Sequence, residues 1–429
     1  MAGPSPDALA RDRELLEAAR DRGSLATLAA FVKLSGPGWL QSAITLGGGS
    51  LASSLYLGVL GGYELLWLQP LMMILGIVML SAIAYVTLST GEKPFGAINR
   101  HLSPVLGWGW LIAASMANLV WAMPQFSLGT AAIQQNLLPD VPAFAGRSGE
   151  WLSAGLLLVV SAVIIWFYDS GSRGVKIFER ILKGMVAVVV VSFFGVVAAM
   201  TAKGQLDWGR IAAGFVPDIS LLWRPVSDLQ GFIDASGDPA YWNTLILGQQ
   251  RSVMVAAAAT AVGINMTFLL PYSMLRKGWN RSFRGLAAFD LSTGLFIPFV
   301  LATSCVVIAA ASQFHGQAAT AAAVVPAAEA EGQFRKNLEA RLSAELGAQA
   351  VQALPPAELE ARLDALPEAD RQLAAMLVQR DAFDLARALE NLFGAGGLTQ
   401  RVFGIGVLGM ALSTIIILML INGFCVTEM

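Results

Sequence analysis

Thr45-Leu46-Gly47-Gly48-Gly49-Ser50 sits in the middle of an apolar run that extends from Gly36-Pro37-Gly38-Trp39-Leu40 to Trp67. A helix needs about 20 apolar residues to cross a bilayer, and this run has them. Its centre, however, is a poor helix. Each glycine costs about 1 kcal/mol relative to alanine, so three in succession predict unwound backbone at membrane depth. Exposed N–H and C=O groups are tolerated there only where protein or a water-filled cavity satisfies them. Interrupted helices of this kind mark the substrate sites of many secondary transporters.

A second interruption is expected in Ala261-Val-Gly263-Ile-Asn265-Met266-Thr267-Phe-Leu-Leu-Pro271-Tyr272. Gly263 and two polar side chains break an apolar run. Pro271 should clash with the carbonyl of Thr267 and weaken the ladder at that point. Glycine and proline also occur in membrane helices simply to permit close packing. Two interruptions five spans apart favour an inverted-repeat transporter whose substrate site lies between them.

The rest of the chain supports a polytopic all-α membrane protein. Of its 429 residues 55% are hydrophobic and only 14% charged, well below the ~25% charged of a soluble domain. Runs of spanning length lie near 39–61, 66–89, 105–132, 151–168, 177–200, 252–275, 287–312 and 402–424, about eight in all. The net charge of −2 points to no nucleic-acid partner. Cys305 and Cys425 lie in apolar runs and read as small core residues rather than a disulfide. Met1–Lys33 lacks a signal-peptide core, and Pro6–Arg22 reads as a solvated amphipathic helix.

Basic residues sit tight against alternate span ends: Lys93 and Arg100, then Arg173, Lys176, Arg180 and Lys183, then Arg276, Lys277, Arg281 and Arg284. By the positive-inside rule these connections face the cytoplasm, and so does the N-terminus of an inner-membrane protein. The connection 201–251, with Trp208, Trp223, Tyr241 and Trp242, reads as an outer loop bearing an interfacial aromatic belt. Segment 313–401 changes composition. Leu338, Leu342 and Leu346, then Leu373, Met376 and Leu377, then Leu385, Leu389, Leu392 and Phe393 recur at helical spacing. It reads as an external helical insert, a loop expansion with no role in transport. The expected division is therefore 1–34 cytoplasmic, 35–312 with spans 1–7, 313–401 the insert and 402–429 the last span.

Taken together, Gly36-Pro-Gly-Trp-Leu40, Ser42-Ala-Ile-Thr-Leu-Gly-Gly-Gly-Ser50, Gly61-Gly-Tyr-Glu-Leu-Leu-Trp67 and Lys176-Ile-Phe-Glu179 resemble the Nramp family of divalent-metal transporters. The resemblance covers most spans up to about residue 312. It implies a LeuT-type fold of two inverted five-helix repeats. With about eight spans, the second repeat would be incomplete.

The departures fall on the site. The family's metal-binding Asp-Pro-Gly-Asn lies on Gly47, Gly48, Gly49 and Ser50, and its Met-Pro-His on Asn265, Met266 and Thr267. The acid, the sulfur and the imidazole are thereby expected to be missing. The candidate site is Thr45, Gly47, Gly48, Gly49, Ser50, Gly263, Asn265 and Thr267, with Ser50, Asn265 and Thr267 as metal-facing side chains. This neutral, oxygen-rich set suits Mg²⁺ or another hard cation better than manganese or iron.

Span three carries Asn118 and Gln125 but no acid, and both read as interhelical hydrogen-bonding residues. Asp169 and Asp290 read as interfacial, and His101 and His315 as loop residues, so proton coupling is not expected. Two other readings stay open. The glycine turn also suits the carboxylate of an amino acid or small organic anion, because it opens a half-helix. A truncated or non-transporting homologue would equally lack the metal ligands and part of the second repeat. No enzymatic activity and no cofactor are expected, and the sequence does not report an oligomeric state.

Overall fold

In the computed structural model, residues 6–318, 327–393 and 398–429 are described. The chain enters through α1 (Pro6–Asp21) and α2 (Ser24–Leu34). The first span is two half-helices, α3 (Pro37–Thr45) and α4 (Gly48–Gly61), bent by 57° about Leu46-Gly47. Next come α5 (Leu68–Thr90), short α6 (Pro94–His101), α7 (Pro104–Ala131), α8 (Gly146–Asp169) and α9 (Gly171–Ala202). Two short helices, α10 (Trp208–Gly214) and α11 (Ser227–Asp234), lead to the sixth span, α12 (Pro239–Ala261) plus α13 (Ile264–Arg276). The seventh comprises α14 (Arg284–Gly294) and α15 (Phe296–Phe314). The insert holds α16 (Ala327–Leu346), α17 (Ala348–Gln352), α18 (Pro356–Asp364), α19 (Glu368–Met376) and α20 (Ala382–Phe393), and α21 (Leu398–Glu428) is the eighth span.

Local chemistry sets the ends. Proline occupies the first turn of α3, α6, α7 and α12, where its missing N–H is harmless. Ser103 and Asp238 accept the first-turn N–H groups of Val105 and Tyr241. Gly62 ends α4 at φ 55°, a region that suits glycine.

Peripheral spans keep large apolar side chains on their outer faces, such as Val78, Val120, Val159 and Val191, each at least 60% exposed and suited to lipid. The seventh and eighth spans are instead enclosed by the bundle, with 78% and 72% of their apolar windows buried.

Three readings of the sequence need correction here. The sixth span starts at Pro239, not near 252, because Asp238 caps a helix that runs through Trp242 and Arg251. Trp242 is therefore fully buried rather than interfacial, and its indole N–H donates to Asp370 at 2.8 Å. Pro271 does not break α13, which is continuous from Ile264 to Arg276, so the only gap in this span is Val262-Gly263. His101 is the last residue of α6, its ring 3.2 Å from Glu92. Cys305 and Cys425 are free and buried, and α1 buries Leu16 and Ala19.

The insert is fastened to the bundle end opposite the N-terminus, called here the far face. Asp370 accepts from Gly237 N and the Trp242 indole, which fastens the insert to the start of the sixth span, and from Arg341 Nε in a buried ion pair within the insert. Helix α20 packs on α4, α15 and α21. Leu392 and Phe393 have side chains outside those described.

Candidate functional site

The two gaps face each other across a cavity of about 80 Å³. At the first, the backbone leaves its helix after Thr45 and re-enters at Gly48. Four orphaned carbonyls and four orphaned N–H groups are normal at such ends. Most of those visible here are satisfied by side chains. The Ser50 hydroxyl lies 2.5 Å from Thr45 O and 2.9 Å from Gly47 O, and accepts from Gly47 N at 3.2 Å. Gly48 N donates to Gln125 Oε1 on α7 at 2.9 Å. The Thr414 hydroxyl on α21 donates to Ala43 O at 3.3 Å. Gly47 also needs its lack of a side chain, since a Cβ there would sit 2.5 Å from Thr414 Oγ1.

The second gap is barer. Gly263 precedes α13, and Met266 N donates to Gly263 O at 3.0 Å. Asn265 is 8% exposed and lines the cavity, and its amide has no hydrogen-bond partner among the described residues. A Cβ at Gly263 would lie 2.5 Å from Asn265 Oδ1, so this glycine leaves room for the amide.

Met266 lines the cavity beside Asn265, with Thr45 Oγ1 donating to its sulfur at 3.2 Å. The soft donor expected to be missing is therefore present, though held by a hydroxyl. Trp121 and Gln125 from the third span and Thr414 and Leu418 from the eighth complete the wall. The site thus draws on spans 1 and 6 and on spans 3 and 8, two pairs each five apart, as inverted repeats require.

Of the eight predicted residues, Thr45, Gly47, Gly49, Ser50, Gly263 and Asn265 line this cavity. Gly48 and Thr267 do not. Gly48 is turned to Gln125, and the Thr267 hydroxyl donates to Ile264 O and accepts from the Trp110 indole at 3.3 Å. As side-chain ligands, Ser50 is committed to its own turn and Thr267 is turned away, which leaves Asn265. Gln125, Met266 and Thr414 were not anticipated. Gln125 is a wall residue as well as a helix-to-helix bond, whereas Asn118 makes only the expected interhelical contact, to Asn422 at 3.1 Å.

The N-terminal end of α3 is closed by a second polar cluster. Asp290 is not interfacial but 1% exposed, and its carboxylate accepts from Ser35 Oγ (2.6 Å), Gly36 N (3.1 Å) and Gly38 N (2.7 Å). A carboxylate at the positive end of a helix is favourable. Lys183 donates to Ser35 O at 3.0 Å, and Lys277 pairs with Glu179 at 2.8 Å. The Gly-Pro-Gly motif and Lys176-Ile-Phe-Glu179 thus meet at one point. The Asp169 side chain lies outside those described.

Known proteins resemble this chain in sequence and in fold. The chain is 26% identical over 190 residues to the metal transporter Nramp6.2 of Populus trichocarpa, covering 44% of this chain and 32% of the relative. It is 24% identical over 218 residues to the manganese transporter pdt1 of Schizosaccharomyces pombe, covering 51% and 40%. The matched region is therefore less than half the length of either relative. Among solved structures, a manganese transporter of Eremococcus coleocola superposes with a TM-score of 0.51 at 15% identity, over 94% of this chain and 71% of that one. That likeness establishes the LeuT-type fold. The family profile described as natural resistance-associated macrophage protein-like, Nramp, matches residues 38–339, past the expected limit of 312 and into α16. With well over half of its residues inside that profile, this chain belongs to the Nramp family.

Proposed function

We propose that this protein is a secondary transporter that carries a divalent metal cation across the membrane by alternating access, favours Mg²⁺ or another hard cation over manganese and iron, and does so without proton coupling. One observation carries the reading: the cavity between the two gaps has neutral walls, with Asn265 its uncommitted amide. Mg²⁺ keeps several waters and needs few protein ligands. The cavity has room for one ion and a few waters. Carbonyl ends of α3 and α12 supply partial negative charge to it. Among the described residues lining the cavity, the one soft donor, Met266, is held by the Thr45 hydroxyl.

An organic anion finds less here. The N–H groups of Gly47 and Gly48 are already taken by Ser50 and Gln125. Family membership supports a metal cargo. The positive-inside pattern supports a cytoplasmic N-terminus in the inner membrane, with the core in 35–312 and 402–429 and the insert 313–401 outside.

Uptake into proteoliposomes tests the reading. Mg²⁺ should enter faster than Mn²⁺, at a rate indifferent to an imposed pH gradient, and Asn265→Ala should abolish most of it. Amino-acid uptake without cation flux overturns it.

A further inference from the structure

A second cavity, of about 230 Å³, opens on the far face between the end of α4, the end of α15 and helices α10 and α11. Tyr63, Asp207, Arg210, Asp228, Ser312 and His315 line it. Among the described residues the charged or titratable groups facing the imidazole from these elements are Tyr63, Asp207, Arg210 and Asp228. On the neighbouring Phe314 ring lies Arg380 of the insert, its guanidinium bonded to the Met376 and Val378 carbonyls.

The His315 side chain is only 7% exposed. Its ring lies against Gly62, where a Cβ would come within 2.6 Å of it. Nδ1 is 2.9 Å from Val59 O. A carbonyl oxygen only accepts, so Nδ1 carries the hydrogen. In the neutral ring Nε2 is then a bare lone pair, yet it faces Asp228 Oδ2 at 3.4 Å. Two acceptors then oppose each other at that distance. A proton on Nε2 turns that opposition into a charge-assisted contact.

We propose that His315 and Asp228 form a proton-binding site that ties the far end of the first span to the connection between the fifth and sixth. Charge selects a proton over a divalent ion. Protonation brings the cluster of Asp207, Asp228, Arg210 and His315 to neutrality. A dication would leave excess positive charge beside the Arg210 guanidinium, which is bonded to the same carboxylate oxygen. In agreement, the hydrogen bond from His315 is the largest of the influences that hold the Asp228 carboxyl well below the usual range, against the opposing effect of burial. The contact forms as pH falls and is lost as pH rises, so acid adds a link from Val59 through His315 to α11 that base removes, while the bond to Val59 O stays. The proton stays at this face and takes no part in the cavity at Asn265, so the inference stands whatever the cargo.

The chain has two histidines, so a His101→Asn background leaves His315 alone. With ¹⁵N-labelled histidine in bilayers, the neutral ring should show the Nδ1–H tautomer. Asp228→Asn should weaken proton uptake by the ring, and Arg210→Gln should strengthen it. Amides of 59–66 should exchange more slowly below the midpoint than above it, a difference His315→Asn removes. An Nε2–H tautomer in the neutral ring, a midpoint indifferent to both substitutions, or broadening of the neutral ring's signal by micromolar Mn²⁺ would overturn the proposal.

Discussion

The gap in the first span and the gap in the sixth look alike as glycine-bearing sequence but differ in what they have left to give. At Leu46-Gly47 the chain bends by 57°, and Ser50, Gln125 and Thr414 bind the exposed backbone. At Val262-Gly263, among the described residues, no side chain is spent on the gap in this way, and the Asn265 amide has no partner in the cavity wall. The richer stretch is the self-contained one. Backbone disruption and ligand supply are separate properties, and a buried polar group that is already satisfied has little to offer a substrate.

Substitutions sharpen or break that contrast. The largest effect is expected at Gly47→Val, which overpacks Thr414 and should cost about 1–3 kcal/mol, read as a lower thermal midpoint of the purified protein. Ser50→Ala should follow closely at roughly 1–3 kcal/mol, because the carbonyl of Thr45 and the N–H of Gly47 lose their shared partner. Its cation affinity, measured by calorimetry, should change little once folding is maintained. Asn265→Ala should do the reverse: stability within about 0.5 kcal/mol of wild type, as for a group with no partner to strand, but cation affinity reduced by about tenfold, equivalent to ~1.4 kcal/mol. If Ser50→Ala and Asn265→Ala weaken binding and stability alike, the division of labour between the gaps is wrong. Thr267→Val should be the mildest, leaving uptake within about twofold of wild type, since its hydroxyl serves Trp110 and Ile264 rather than the cavity.

The sequence exposed the positions of both gaps because glycine in an apolar run has a local cost that needs no knowledge of neighbours. It was weaker on which side chains meet. Along α13 each residue turns about 100°, so Asn265 and Met266 reach the cavity while Thr267 has rotated onto the third span. Gln125 looked like any polar residue in a membrane helix until the third span was placed against Gly48. Asp290 looked interfacial because it lies near a span end. Only the docking of the Ser35-Gly36-Pro37-Gly38 turn on it accounts for its burial. The early start of the sixth span was hidden because Trp242 and Arg251 mimic a surface loop, and the partners that bury or bind them, Asp370 and the Leu222 carbonyl, are distant in the chain.

The contact between Gly47 and Thr414 also constrains the order in which this site can change. A carboxylate at 47, the position of the family's acid by the resemblance above, has no room while a threonine methyl and hydroxyl lie 3.2 and 2.5 Å from where its Cβ would be. A smaller residue at 414 must come first, and that step removes the partner of the Ala43 carbonyl. Two positions 367 residues apart therefore form one evolutionary unit: each single exchange is disfavoured, and an acidic version of this cavity needs both replacements, 414 before 47.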